Sequence, residues 1–455
     1  VTGQAPRIIV ADYDVVTPMF MGGASQHPQW RLASYAHALR WWWRALALGR
    51  FDGDLRKVKL NEALLFGHVE KGYGAGRVRF RDLTAQIGDA AIPPAPWGDQ
   101  VDGGFPGWSG LAYLAGQGLQ GRKATPISRL RIELRIAWRD PGALKCAWDR
   151  TEAGGETRPF ADTDIDEAKS VDTLKDAVVL IGLLGGLGAR SRRGFGSLTI
   201  TRMEDDRVER PVSASDHATY ASLIASTAGA SIDWRPAEIP PYSAFFGGMN
   251  SWVIAEGGDA KVLLNRLGWA LQYFRGWGQP VEYGHRHFLY EDDKVFGGLL
   301  AGAQKQKYAF AADHDWLMRL RSGDDSGALL PAPPRKSVFG LPQMYRDGVA
   351  IEVAGSNADR RASPLTVHIH RLGSGAVIAC CTVLKADFLA PDTQVAVRRG
   401  KKSFPPAPIK PDWQAVHAFS EFAAKFLNAA RKGESLELLG LAEDPNERAV
   451  RILGP

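Results

Sequence analysis

Cysteine is scarce in this chain: Cys146, Cys380 and Cys381 are the only ones in 455 residues, and no C-x-x-C spacing occurs. Neither a thiolate zinc site nor a dithiol redox motif can be drawn from them, and such usage fits a reducing compartment. Long apolar runs are missing as well. No charge-free apolar stretch approaches the roughly 18–20 residues that a membrane-spanning helix needs, and the first residues carry no apolar leader. The expectation is a cytoplasmic protein with no membrane partner. Compositional extremes are also absent, since 45% hydrophobic and 23% charged residues are close to globular averages. Glycine (50) and proline (27) fall short of low complexity and mark turns instead. A chain of this length suits two or three domains with a sizeable core.

What the sequence does have is positive charge in patches. The net charge of +6 is mild for the whole chain, so placement carries the argument. Between Pro28 and Arg50 there are four arginines and no acid. Arg398-Arg399-Gly400-Lys401-Lys402 is a second basic run, and Arg190, Arg192 and Arg193 form a third. A solvated cationic face explains any one of these. All of them lying beside glycines or aromatics point to a polyanionic partner.

Periodicity places these patches on elements. Arg7 to Val16 reads as a strand ending at Thr17-Pro18, and Ala33 to Leu48 as a helix with Leu39, Trp42 or Trp43, and Leu46 facing the core. Arg40 and Arg44, four apart, share another face of that helix. Val78 and Phe80 alternate with Arg77, Arg79 and Arg81. Leu130, Ile132, Leu134, Ile136 and Trp138 alternate with Arg129, Arg131, Glu133, Arg135 and Arg139. Strands with one apolar and one arginine-rich face predict an antiparallel sheet covered on one side. The arginine face is either solvated or a platform for phosphates. A second helix begins at the acidic turn Asp162, Asp164, Asp166, Glu167, carries Val171, Leu174, Val178, Ile181 and Leu184, and ends at Gly185-Gly186. Leu198 to Thr201 then reads as a strand, completing β-α-β-β-α-β, the ferredoxin-like order.

Residues 204–240 are rich in prolines and small polar residues and read as a boundary. Beyond it the order of elements restarts. Ala244 to Ala255 reads as a strand, Ala260 to Phe274 as an amphipathic helix, Leu365 to Ile369 and Ala376 to Leu384 as strands, and Trp413 to Arg431 as a closing helix. The fold expected is α+β, with two ferredoxin-like, RRM-like domains carrying insertions, over residues 1–210 and 241–455.

The strongest local signal is Gly185-Gly186-Leu187-Gly188-Ala189-Arg190-Ser191-Arg192-Arg193-Gly194-Phe195-Gly196. It lacks the Gly-Lys-Ser/Thr of a P-loop, and Ser191 stands where the third glycine of G-x-G-x-x-G belongs. It also closes a helix, whereas phosphate-binding loops open one. What remains is a flexible loop with backbone amides beside three guanidinium groups, suited to a sugar-phosphate backbone. Arg193-Gly194-Phe195-Gly196 matches the first half of an RRM strand motif, but Ser197 replaces its second aromatic, so paired base stacking is not expected. A purely structural turn is the competing reading.

Other constellations are weaker. Trp41-Trp42-Trp43 sends rings in three directions, so one or two belong to the core, leaving Trp41 for a base or a partner. His285-x-His287 and His368-x-His370 have ligand spacing without a third ligand, and His314-Asp315 is a lone dipeptide. Asp12-x-Asp14 and Asp162-x-Asp164-x-Asp166 have magnesium-like spacing, although a helix start explains the second better. His37 with Arg40 and Arg44 has the composition of a metal-independent ribonuclease site. No catalytic residue, metal or cofactor is expected.

Several stretches resemble the RAMP superfamily of CRISPR proteins. Leu65-Phe66-Gly67 before the strand at Arg77 resembles its F-G turn, and the arginine-bearing Gly185 to Gly196 loop resembles its G-rich loop. More specific is Thr17-Pro18-Met19-Phe20-Met21-Gly22-Gly23, followed by Ala38-Leu39-Arg40-Trp41-Trp42-Trp43-Arg44-Ala45-Leu46. Phe339-Gly340-Leu341-Pro342 and Arg360-Arg361-Ala362-Ser363-Pro364-Leu365 belong with them. Together these are similar to the family of subunit-one proteins of the type III-B effector, the Cmr complex. The resemblance implies two ferredoxin-like domains, binding of guide RNA and target RNA, other RAMP subunits as partners, and cleavage assigned elsewhere in the complex. An endoribonuclease that matures guide RNA is the alternative. Carried over by position, the RNA-binding candidates are Arg40, Arg44, Gly188, Arg190, Arg192, Arg193, Phe195, Arg360 and Arg361.

Overall fold

The computed structural model describes residues 5–22, 27–68, 74–87, 95–98, 101–137, 142, 161–277, 313, 316–317, 319–320, 323, 335–345, 348–354, 360–387, 389, 393–408, 411–431 and 450–453. The first part runs β1 (Arg7–Val15), α1 (Leu32–Arg50), α2 (Leu55–Phe66), β2 (Val78–Asp82), α3 (Ser109–Ala115), β3 (Arg129–Ile136), α4 (Glu167–Leu183), β4 (Leu198–Asp205), β5 (Val208–Arg210) and α5 (His217–Asp233). Its sheet has the order β2-β3-β1-β4-β5 and is antiparallel throughout. β1 sits inside, with Arg7 opposite Ile136 and Val15 opposite Leu198.

The expected alternation explains this sheet. Ile9, Ala11 and Tyr13 of β1 and Leu130, Ile132 and Leu134 of β3 are buried on one face, where α1 and α4 cover them. α1 buries Tyr35, Leu39, Trp42, Trp43 and Leu46, and α4 buries Leu174, Val178 and Ile181. Tyr13 ties strand to helix, its hydroxyl donating to the Val178 carbonyl at 2.8 Å. Asp54 and Asp166 accept the Lys57 and Lys169 amides and so fix the starts of α2 and α4. Caps of this kind stabilise by about 1 kcal/mol each.

The second part contains β6 (Asn250–Gly257), α6 (Ala260–Trp277), β7 (Gln343–Met344), β8 (Val349–Ala354), β9 (Leu365–Arg371), β10 (Val377–Val383), β11 (Gln394–Arg399), β12 (Lys402–Ser403), α7 (Trp413–Arg431) and β13 (Val450–Leu453). One sheet has the order β13-β6-β10-β9 and another β12-β11-β8-β7. Leaving β5 aside, the β2-β3-β1-β4 and β13-β6-β10-β9 sheets share one arrangement. In each, the first strand lies between the fourth and the third, with the second strand outermost.

The two parts are stitched along the edge strand β9. Arg193 forms a parallel bridge with Val367, and the Val367 amide donates to the Arg192 carbonyl at 2.9 Å. The amides of Ile369 and Arg371 donate to the Ser197 and Thr199 hydroxyls. The arginine loop therefore lies on the seam.

Two expectations need correction. Residues 204–240 do not read as a linker: they hold the end of β4, β5 and all of α5, whose Tyr220, Ile224 and Ala228 join the same core as Leu39. The β12-β11-β8-β7 sheet, α2 and α3 stand outside the β-α-β-β-α-β order, where the expectation allowed for insertions. Strand β6 starts at Asn250 instead of Ala244. Trp138, Arg139 and Gly23 lie outside the described residues. Among the described residues no helix is long and apolar enough to cross a membrane.

Candidate nucleic-acid interface

The arginine loop is held rigidly, which corrects the expectation of a flexible one. The Ala189 amide donates to the Phe20 carbonyl at 2.8 Å, Gly196 to Pro18 at 2.9 Å, and Leu187 to Gly196 at 2.9 Å. Thr17 adds a side-chain clamp, its hydroxyl donating to the Gly194 carbonyl at 2.6 Å and accepting the Ser197 amide. This gives the Thr17-Pro18-Met19-Phe20 segment a physical role: it is the bed on which the loop lies. Gly188 has φ +89°, and a Cβ there would stand 2.7 Å from the Phe20 oxygen, so the close approach demands glycine. Its part is to shape the loop.

With the backbone fixed, the three guanidinium groups are placed by carbonyl oxygens. Arg190 donates to Ala115 at 3.0 Å, Arg193 to Leu114 at 3.2 Å, and Arg192 to Ser363 at 2.9 Å. Arg192 also lies 4.9 Å from the centre of the Trp41 ring, a cation–π contact. Among the described residues no carboxylate pairs with any of them. Burial pushes Arg192 and Arg193 down to about 10, with Arg361 adding to the effect at Arg192, and Arg275 and Arg190 at Arg193. Burial also lowers Arg190, and Arg360 and Arg275 reinforce it. Partly desolvated cations facing cations are unfavourable unless an anion joins them. Phosphate oxygens are the natural acceptors for such a fork of donors.

Arg360 and Arg361 are brought to this cluster from far along the chain. Arg361 exchanges backbone hydrogen bonds with Leu341 at 2.8 and 3.0 Å, linking the two second-half stretches of the RAMP resemblance, and burial lowers its guanidinium pKa. Sequence reasoning missed two further members, Arg275 at the end of α6 and Lys336 in the short turn Arg335–Phe339.

Arg40 and Arg44 are arranged differently. Both pair with Glu62 of α2, whose carboxylate is almost fully buried. Burial alone would raise that carboxyl, but hydrogen bonds from Arg44 and Arg40 outweigh it and hold it low. The trio keeps one net positive charge, and the ribonuclease arrangement of His37 with Arg40 and Arg44 is not assembled. His37 instead lines a cavity of about 530 Å³ with Arg31, Ser34, Arg122, Gly188 and Ser191.

Phe195 is removed from the candidate contacts. Its ring is fully buried, stacked on Phe105 at 5.3 Å and edge-on to Phe20 at 5.6 Å, so it cannot meet a base. The phosphate-platform reading of the sheet fails for a related reason. Arg131 pairs with Asp12 and Arg129 with Asp14 at 2.7 Å, and Arg135 with Glu133 at 2.6 Å, so those charges are spent within the sheet. The same pairs leave Asp12 and Asp14 unavailable as a magnesium site. Trp42 and Trp43 are core, while Trp41 is half-buried under Arg192. In the 398–402 run, Arg398 pairs with Glu352 at 2.9 Å and Arg399 donates to Leu320. His368 and His370 are buried at the seam, and His285, His287, His314 and Asp315 lie outside the described residues. No cluster of metal-ligand side chains occurs among the described residues.

A family model of the RAMP superfamily matches residues 38–199, from α1 through the arginine loop. CRISPR system Cmr subunit Cmr1-2 of Pyrococcus furiosus is 27% identical over 200 residues, which is 43% of this chain and 96% of the relative. Among solved structures, apo Cmr1 from Pyrococcus furiosus aligns at TM-score 0.47 and 15% identity over 98% of this chain and 99% of that one. A type III-B Cmr-beta complex bound to cognate target RNA contains a chain that aligns at TM-score 0.44 and 10% identity, over 93% of this chain and all of that one (100%). The chain therefore carries a RAMP-superfamily match from α1 into β4 and is similar over 200 residues to a Cmr1 subunit of a CRISPR system.

Proposed function

We propose that this chain is a non-catalytic RNA-binding subunit of a type III-B CRISPR ribonucleoprotein, holding guide and target RNA by their backbones beside other RAMP subunits in the cytoplasm. Two ferredoxin-like domains, meeting at β9, form its frame, a reading supported by the shared strand order of the β2-β3-β1-β4 and β13-β6-β10-β9 sheets. The observation that carries the proposal is the state of Arg190, Arg192 and Arg193. They are anchored by carbonyl oxygens and an aromatic ring, and among the described residues no carboxylate pairs with them. Arginines engaged in this way hold a phosphate chain without reading its sequence.

The test is binding of the full chain to unrelated single-stranded RNAs across a salt series. The proposal expects similar affinities for all sequences and a steep fall with salt. Affinity that ignores salt, or strong preference for one sequence, would overturn it. The alternative of a guide-maturing endoribonuclease retains one observation in its favour, exposed His37 in the cavity with Arg31 and Arg122. Incubation with CRISPR repeat RNA in EDTA separates the two: a defined cut that disappears in His37→Ala favours the enzyme, and intact RNA favours the binding subunit.

A further inference from the structure

Four parts of the chain meet at the arginine loop. They are the last turn of α6, the turn Arg335–Phe339, the end of α3, and the loop itself. Phe274 of α6 packs edge-on against Phe339 at 6.0 Å, and Asn265 of α6 accepts the Leu111 amide of α3 at 3.1 Å. Arg190 and Arg193 are turned onto the carbonyls of Ala115 and Leu114 at the other end of α3. Arg275 joins them from α6, near enough that its charge lowers the pKa of Arg190, Arg193 and Lys336 alike.

Lys336 is only 6% exposed, and its ammonium lies 5.3 Å above the Tyr345 ring. Burial pushes it down to about 8. The Nε of Arg275 is buried and finds no hydrogen-bond partner among the described residues. Among the described residues the carboxylate set against these four cations is Asp313, which accepts the backbone amides of Arg335 and Lys336 at 3.0 and 2.9 Å. Burial raises its pKa, which weakens it further as a counter-charge. The site therefore carries up to three uncompensated positive charges, partly withdrawn from water.

The balance of charge and enclosure says which anion fits. A phosphodiester within a strand brings about one negative charge and must enter and leave with a sugar on each side. A terminal phosphomonoester brings roughly −1.5 to −2 and only one sugar. Lys336 is nearly fully buried with its ammonium over the Tyr345 ring, and the Arg275 Nε is buried, so a single chain end reaches them more readily than a strand running through. We propose that Arg190, Arg193, Arg275 and Lys336 together receive the terminal phosphate of a bound RNA strand. This rests on the RNA-binding reading above and specifies the chemistry of the end that is bound. A 5′-phosphate and a 3′-phosphate present the same group, and the experiment distinguishes them.

The test uses the full chain and one RNA sequence in three forms: hydroxyl at both ends, phosphate at the 5′ end, and phosphate at the 3′ end. Affinity is measured for each at fixed salt and pH 7. One phosphorylated form is expected to bind at least about tenfold more tightly than the hydroxyl form, and the ratio is expected to fall to about one in both Arg275→Gln and Lys336→Gln. If RNA binds but all three forms bind equally, the terminal-phosphate site is wrong while the RNA-binding reading stands. A ratio that persists in both variants places the end elsewhere and likewise overturns the proposal. If no form binds, both readings fail. The three-form comparison on the unaltered chain holds even where a variant does not fold.

Discussion

Acid should open the seam between the two parts, and His368 is the group that makes this measurable. His368 and His370 lie side by side on β9, ring centres 5.7 Å apart, both fully enclosed. His370 contacts Thr199 of β4 and stacks at 4.6 Å on Tyr220 of α5, whereas the ring nitrogens of His368 have no hydrogen-bond partner among the described residues. Burial pushes the His368 imidazole from its ordinary 6.5 down to about 3, so the folded protein holds it neutral. The sign follows from that lowering. Above pH 6.5 the ring is neutral folded and unfolded, and its full contribution is present. As pH falls below 6.5 the unfolded chain takes up a proton that the folded one refuses, and stability drains away towards the folded value. At about 1.4 kcal/mol per pH unit, the loss by pH 5 is roughly 2 kcal/mol, and the limit near pH 3 is roughly 5 kcal/mol. Burial lowers His370 in the same direction and adds to it. Carboxylates held low, such as Glu62, contribute only nearer their own range, and Asp176 and Asp313, raised by burial, act with the opposite sign, so the comparison with a His368 variant is what separates the histidine's share. Urea unfolding at pH 7, 6 and 5 should show this decline. His368→Leu, close to the imidazole in size, should leave pH 7 stability within about 1.5 kcal/mol and reduce the acid decline by about 2 kcal/mol at pH 5. An acid limb unchanged in that variant would refute the reasoning.

Other substitutions have equally definite outcomes. Gly188→Ala forces a side chain to within 2.7 Å of the Phe20 oxygen at φ +89°, and should lower stability by about 1–3 kcal/mol, read by thermal unfolding. Phe195→Ala empties a fully buried aromatic site, so it should destabilise by about 3–5 kcal/mol with no selective change in RNA affinity of the fraction that remains folded. Glu62→Gln releases Arg40 and Arg44 from their shared carboxylate. It should lower the unfolding temperature while strengthening polyanion binding, as seen in a titration with single-stranded RNA.

The parts of this fold legible in the sequence were those in which one face is buried and the other wet. β3 keeps its alternation because Leu130, Ile132 and Leu134 point to the core while the arginines between them pair along the sheet. The closing helix is found where the pattern puts it, Trp413–Arg431. α2 was illegible because it breaks the rule of apolar-inside: Asn61 and Glu62 are buried, satisfied by the Asp164 carbonyl and by two arginines. α5 was hidden by small residues, Ala, Ser and Thr, which look like a linker until Tyr220 and Ile224 are seen in the core. The candidate site was partly legible through the glycine-arginine loop, because close packing against Phe20 selects glycine locally. Arg275 and Lys336 gave no signal. One sits at the end of an ordinary amphipathic helix and the other beside prolines, and only tertiary packing brings them to the loop.

The account depends most on the three loop arginines, and the salt dependence of RNA binding addresses them directly. For a single strand, each phosphate neutralised contributes about 0.7 to the slope of log affinity against log salt. Replacing Arg190, Arg192 and Arg193 with alanine should therefore reduce that slope by about 2 and weaken binding to unrelated sequences alike. A slope unchanged in the folded triple variant would contradict the account and place the RNA on another surface.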